Sequence, residues 1–219
     1  MSDVKYFEYG EEAVAYLAAK DPALGRAIAE IGHIDRPVIP DLFAALVNSI
    51  VGQQISAKAA QTVWGRITER FSPLTAEVIL SETAEALQAC GISMRKATYI
   101  REISEEAAGG KLDLAALENM TDSEVRARLC ALRGIGEWTA EMLMIFSMQR
   151  PDIISFGDLG IHRGLRMLYR HRKITPALFA KYRRRYAPYA TVASLYLWAV
   201  SSGACGLTDP AVKKKVVKL

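Results

Sequence analysis

The chain is poor in cysteine and arranges none of it for ligation: Cys90, Cys130 and Cys205 are odd in number, far apart and in no CxxC spacing. Neither a disulfide framework nor a zinc site is expected, and the three thiols read as small apolar side chains of the interior. Histidine is equally sparse, since His33, His162 and His171 show neither metal-ligand spacing nor a nucleophile partner. No apolar run approaches the length of a bilayer span, and Met1-Ser2-Asp3-Val4-Lys5 lacks the basic region followed by an apolar one that marks a secretory signal. These absences argue against a membrane protein and for an intracellular, cytoplasmic one. Low-complexity linkers, internal repeats and convincing alternating strands are missing too.

What is present is helical periodicity, in a chain of 219 residues that is 51% apolar and can bury a sizeable core as one domain or two small lobes. Leu42, Phe43, Leu46, Val47, Ile50 and Val51 recur at helical spacing, as do Ala60, Val63, Trp64, Ile67 and Phe71. Further helices are expected at about 11–20, 22–31, 83–90, 94–108, 121–131, 137–148, 159–170, 176–186 and 189–202. Their starts are signalled by Thr121-x-x-Glu124 as a capping box and by Pro22, Pro40 and Pro176. Segments 139–148 and 190–200 are apolar on nearly all sides, which marks central, buried helices. The fold class is all-α.

A formal net charge of +4 is compatible with nucleic acid but does not single it out. Its distribution says more. Arg163, Arg166, Arg170, Arg172, Lys173, Lys181, Arg183, Arg184 and Arg185 concentrate in one quarter of the chain, and Lys213, Lys214, Lys215 and Lys218 form a basic tail. Such clusters are either solvated faces or phosphate contacts with salt-dependent affinity.

Two local patterns carry chemistry. In Leu132-Arg133-Gly134-Ile135-Gly136-Glu137-Trp138-Thr139-Ala140, two glycines flank Ile135 between apolar-periodic segments, as in a tight turn between helices. A helix beginning near Glu137 would aim its first amides and the positive end of its dipole at whatever approaches the turn, a suitable place for one phosphate oxygen. A Gly-capped connection that binds nothing is the plain alternative. Downstream lies Phe156-Gly157-Asp158-Leu159-Gly160, where Asp158 is placed as a helix N-cap and is also a candidate catalytic carboxylate. Asp152, after Pro151 at a turn, is its rival.

Together with Ile50-Val51-Gly52-Gln53-Gln54-Ile55-Ser56-x-Lys58-Ala59-Ala60, these segments resemble the helix-hairpin-helix DNA glycosylase superfamily, most of all its 3-methyladenine DNA glycosylase II family. The resemblance spans roughly residues 40–203 and implies two helical lobes flanking a central cleft. Residues 1–39 and 136–219 would make the N/C-terminal lobe, and 40–135 the central lobe, leading into the hairpin at about 121–148. A compact form is implied, without the N-terminal sheet domain of larger members. The iron–sulfur cluster of some relatives is not expected, because Cys205 is the only cysteine from there to Leu219.

The resemblance also assigns roles. Asp158 would stabilise the oxocarbenium character of the sugar as the base leaves, and orient or deprotonate water. Trp138 stands where backbone-cleaving relatives carry a Schiff-base lysine, which implies a monofunctional enzyme without lyase activity. Trp138, Trp198 and Met142 would line the substrate pocket, where an electron-rich indole favours a cationic alkylated purine. Gln53, Gln54, Ile55, Ser56 and Lys58 would meet DNA, with Gln54 favoured as the wedge that fills the space of the flipped nucleotide and Ile55 an alternative. Gly134, Ile135, Gly136, Thr139, His162 and Arg163 would contact the backbone. Hairpin carbonyls are a candidate site for a structural Na or K ion, and no redox or organic cofactor is implied.

The function so implied is hydrolysis of the N-glycosidic bond of alkylated purines, 3-methyladenine and 7-methylguanine, in base excision repair by base flipping. The partner would be double-stranded DNA containing alkylated bases, met by a monomer in the cytoplasm, nucleoid or nucleus according to the cell type. Two other readings stay open: a glycosylase for a deaminated or oxidised base, and a non-catalytic DNA-binding module.

Overall fold

The computed structural model describes residues 4–211; the expected basic tail of Lys213, Lys214, Lys215 and Lys218 lies outside them. Helices dominate. The chain opens with β1 (Lys5–Tyr6), α1 (Glu11–Lys20), α2 (Pro22–Ile31) and β2 (Pro37–Val38). The pairing of β1 with β2 is strand structure that periodicity does not reveal, because two residues per strand leave no alternation to read. There follow α3 (Leu42–Gly52), α4 (Ala57–Arg70), α5 (Ala76–Leu80), α6 (Ala84–Ala89), α7 (Met94–Ala108), a 3₁₀ turn (Ala116–Asn119), α8 (Asp122–Cys130) and α9 (Glu137–Phe146). The chain closes with α10 (Leu159–Tyr169), α11 (Pro176–Tyr186) and α12 (Ala190–Ser201). Among the described residues no helix is long and apolar enough to cross a membrane.

Two compact units emerge, one of Val38–Met148 and one of the described residues up to Pro37 and from Gln149 onward. The second boundary falls after α9 rather than at residue 136, because α9 packs on α3 and α8.

In the Val38–Met148 unit, the helix starts follow from side chains that accept the amide three residues on. Asp41, Ser56, Thr75, Thr83, Ser93 and Thr121 cap α3 to α8 in this way. Thr121 and Glu124 form the expected capping box. Pro40 is not the first helical residue; Asp41 stands between it and α3, and its carboxylate takes the amide of Ala44. The helices bury Leu46, Ile50, Ile67, Ile79, Leu87, Ile100, Ile103, Val125 and Leu129. α7 runs against α3, α5 and α6. Of the cysteines only Cys90 is buried: Cys205 is half-buried and Cys130 exposed, because Cys130 falls on the solvent side of the last turn of α8.

In the other unit α12 is the central helix, buried from Ala190 through Leu197 and packed on α10, α2, α1 and α11. The tightest approach is between α10 and α12. A Cβ at Gly164 would lie 2.3 Å from the carbonyl oxygen of Leu197, so only glycine permits this spacing. α2 is tied in by a buried polar cluster. Asp21 caps α2 through the amides of Ala23 and Leu24 and also receives Tyr169 Oη at 2.8 Å and Arg185 Nη1 at 2.6 Å. Burial opposes ionisation of Asp21, but the bonds from Arg185, Leu24 and Tyr169 outweigh it and hold the carboxyl below its ordinary pKa.

Candidate active site

The turn between α8 and α9 is built by two glycines that do different work. Gly134 has φ +87°, the left-handed region, and a Cβ there would meet Tyr99 Cδ2 at 2.5 Å. Gly136 has ordinary extended backbone (φ −91°, ψ 172°) and only open space within 4 Å of an added Cβ. Conformation explains the first glycine; at the second a side chain would meet nothing, so the fold itself does not demand glycine there. Gly136 is the N-cap of α9 and offers no side chain to cap it. Ile135 is buried, so the turn is anchored through its side chain and presents backbone outward. Trp138, in the first turn of α9, is 49% exposed. Thr139 and Met142 follow it half-buried.

The loop from Gln53 to Ser56 belongs to the same unit and is tethered to this turn. Gln53 Nε2 donates to the carbonyl of Gly134 at 2.8 Å. Gln54 adopts φ +59° and is exposed, as is Ile55 at 40%. Ser56 then caps α4, and the side chain of Lys58 is exposed. Lys96 of α7 lies beneath: Nζ donates to the carbonyls of Val51 at 2.9 Å and Gln53 at 2.6 Å. Burial, and the neighbouring charge of Arg95, lower the pKa of this ammonium from the ordinary lysine value. Two more residues of α7 hold the turn. The Tyr99 ring lies under Gly134 and beneath the Arg133 guanidinium, whose Nη1 meets Glu102 Oε1 at 2.7 Å.

The carboxylate lies in the other unit. Asp158 is 8% exposed and is the N-cap of α10, with Oδ1 accepting from the amide of Ile161 at 2.8 Å. The same oxygen accepts from Trp198 Nε1 of α12 at 3.0 Å. Gly160 makes room for this pair, since a Cβ there would sit 2.8 Å from Trp198 Cδ1 and 3.1 Å from Asp158 Oδ1. The N-terminus of α10 favours negative charge at this spot. Leu159 (85% exposed) and Phe156 (42%) put apolar surface on either side of the carboxylate. His162 packs edge-on against Phe156, with its Nε2 buried and without a hydrogen-bond partner, while Arg163 is exposed. Asp152 accepts from the amide of Ala190 at 3.2 Å, at the start of α12.

The structure therefore gathers the expected residues into two sets. Gln53, Gln54, Ile55, Ser56, Lys58, Gly134, Ile135, Gly136, Trp138, Thr139 and Met142 share one unit; Asp158, His162, Arg163 and Trp198 share the other. Sequence reasoning missed Lys96, Tyr99 and Gly160. The small residues Gly160 and Gly164, one helical turn apart, are the signal that could have announced a close helix contact. Among the described residues no group of three or more His, Cys, Asp or Glu side chains is gathered for a metal ion.

A model of the family described as "HhH-GPD superfamily base excision DNA repair protein" matches residues 47–188. The chain is 34% identical over 178 residues to DNA-3-methyladenine glycosylase 1 of Schizosaccharomyces pombe, covering 79% of this chain and 78% of that one. A crystal structure of DNA-3-methyladenine glycosidase from Bacillus halodurans superposes with a TM-score of 0.81 at 38% identity, covering 90% of this chain and 92% of the other. The Schizosaccharomyces pombe 3-methyladenine DNA glycosylase, solved in complex with abasic DNA, superposes with a TM-score of 0.76 at 30% identity over 87% and 97% of the two chains.

Proposed function

The chain belongs to the HhH-GPD superfamily of base excision DNA repair proteins, and on that premise we propose that it is a monofunctional DNA glycosylase hydrolysing the N-glycosidic bond of alkylated purines. The observation that carries this reading is the setting of Asp158: a largely buried carboxylate at a helix N-terminus, with one oxygen fixed by a backbone amide and an indole N–H.

An N-glycosidic bond in duplex DNA is out of reach until its nucleotide leaves the stack. In this reading the turn at Gly134–Gly136 takes a phosphate on the first amides of α9, holding the duplex without regard to sequence. The Gln54–Ile55 tip enters the space that the nucleotide vacates. A purine methylated on a ring nitrogen is cationic and already a good leaving group, so little acid catalysis is needed. As the bond lengthens, positive charge grows on the sugar. Asp158 opposes that charge from a fixed position in a water-poor site, which is worth about 3–4 kcal/mol for one well-placed electrostatic partner. It then orients or deprotonates the attacking water. Trp138, exposed and electron-rich, offers a face to the cationic base. Having no amine, it forms no Schiff base with the sugar, so the product is free base and an intact strand with an abasic site.

Water is the only co-reactant that this hydrolysis needs. A structural Na or K ion at the hairpin would share carbonyls that already accept bonds, Gly134 from Gln53 Nε2 and Leu132 from the amide of Ile135.

The test is to incubate the purified protein with methylated duplex DNA, then measure free 3-methyladenine and 7-methylguanine and score strand breaks. Release of both bases with no breaks is the expected result. No release by a well-folded protein would overturn the alkylpurine assignment, and breaks that borohydride traps as a covalent adduct would overturn the monofunctional one.

A further inference from the structure

The helix that carries the reading furthest is α7, which the proposed chemistry does not use. Lys96, Tyr99 and Glu102 recur every three residues along it and so form one stripe. Each holds a different part of the DNA-facing surface of its unit. Lys96 takes the last carbonyls of α3, Tyr99 supports Gly134, and Glu102 holds Arg133. Lys96 has the most specific geometry, since one ammonium bridges two carbonyls, those of Val51 and Gln53, on either side of the end of α3. A cation at a helix C-terminus is favoured by the dipole as well as by the hydrogen bonds.

What Lys96 fixes is short. The connection from α3 to α4 is only Gln53 to Ser56, with Lys96 holding its start and the Ser56 cap its end. The Gln53 amide locks the same start to Gly134. Gln54 must then take a left-handed backbone, and the exposed tip Gln54–Ile55 has no slack in which to retreat.

We infer that Lys96 is a positioning residue for base flipping: its ammonium pegs the start of the Gln53–Ser56 turn to α7 while the Gln53 amide ties that same start to the hairpin, so that the tip enters the duplex as a rigid wedge in register with the phosphate grip. This rests on the glycosylase reading above. Rigidity matters because a soft wedge loses to restacking; the ordering entropy is spent in folding instead of on DNA.

The experiment compares wild type, Lys96→Met and Lys96→Arg of the full chain, each checked by circular dichroism and melting. One duplex carries a single 7-methylguanine paired with cytosine; a second places an abasic analogue opposite the lesion, so no base pair needs opening. A third carries 2-aminopurine beside a tetrahydrofuran abasic analogue and reports unstacking without chemistry. Lys96→Met should slow single-turnover release from the paired lesion about tenfold and from the unpaired lesion about twofold or less, and should weaken the fluorescence rise; Lys96→Arg, keeping charge and donors, should recover most of both. Equal slowing on both lesions overturns the inference, because a general structural defect acts on both alike. Where wild type releases no base yet brightens the third duplex, the alkylpurine reading fails and the inference is decided by whether Lys96→Met loses the brightening. Absence of brightening with wild type overturns it. If Lys96→Met does not fold, Gln53→Leu, which cuts the tether and leaves the cap on α3, must show the same asymmetry between the two lesions.

Discussion

Asp21 and Asp158 occupy the same local position in the same unit, each an aspartate at a helix N-cap accepting the amide three residues on, each nearly out of solvent at 1% and 8% exposure. Their partners differ. Asp21 is followed by Pro22 and receives a guanidinium and a phenol, Arg185 and Tyr169, reaching from α11 and α10. Asp158 is followed by the exposed Leu159 and receives an indole N–H from Trp198. A carboxylate bound by a cation is committed to the fold. One that accepts an indole N–H beside exposed apolar surface is, in the proposed reading, the carboxylate that meets the substrate. Burial and capping alone do not distinguish the two carboxylates; the side-chain donors they accept from do.

The largest effect that would separate them is on catalysis. Asp158→Asn keeps the cap, since asparagine serves as well as aspartate there, and removes the charge. Single-turnover base release should fall about a thousandfold with little change in melting temperature. A variant that melts early and keeps its rate per folded molecule would make Asp158 a second Asp21.

Asp21→Asn should do the opposite: unfolding measured in urea should show a loss of about 2 kcal/mol, below the full cost of stranding a buried charge because Arg185 is one-third exposed, while rate per folded molecule holds. The pH dependence follows from the lowered pKa of Asp21. Its stabilisation is fully present above the unfolded-state value near 3.8 and is lost as pH falls through the folded value, so the gap between wild type and Asp21→Asn closes below about pH 4. Gly164→Ala should lower stability by about 2 kcal/mol and activity with it, because α10 and α12 must separate around the new methyl group. The smallest expected effect is that of Trp198→Phe. Removing the indole N–H while keeping an aromatic ring should slow base release about tenfold with near-native stability, leaving Asp158 less well held.

Much of this architecture is legible from periodicity and caps. The expected 94–108 helix coincides with α7, and Thr121-x-x-Glu124 closes its capping box. α5 is not legible, since five residues are shorter than any window in which a helical period shows. The paired strands are shorter still. Asp158 as an N-cap is a local property and can be read from the sequence; its bond to Trp198 joins residues forty positions apart and has no local signature. Lys96 escapes for the same reason, because a lysine in the first turn of an amphipathic helix looks solvated until α3 is placed against it. Gly134 and Gly136 look alike in sequence, and only backbone geometry shows that conformation requires the first while open space lies beside the second.

The close approach of α10 and α12 at Gly164 also decides how this protein can lose activity. Asp158 heads one of these helices and Trp198 rides on the other, and α12 is buried along most of its length. The half-buried indole can turn about its own side-chain bonds, but carrying the two helices apart requires exposing α12, at close to the free energy of melting the whole unit. Amide hydrogen exchange in the middle of α12 and thermal inactivation should report one and the same event, and heat should switch the enzyme off at unfolding rather than before it.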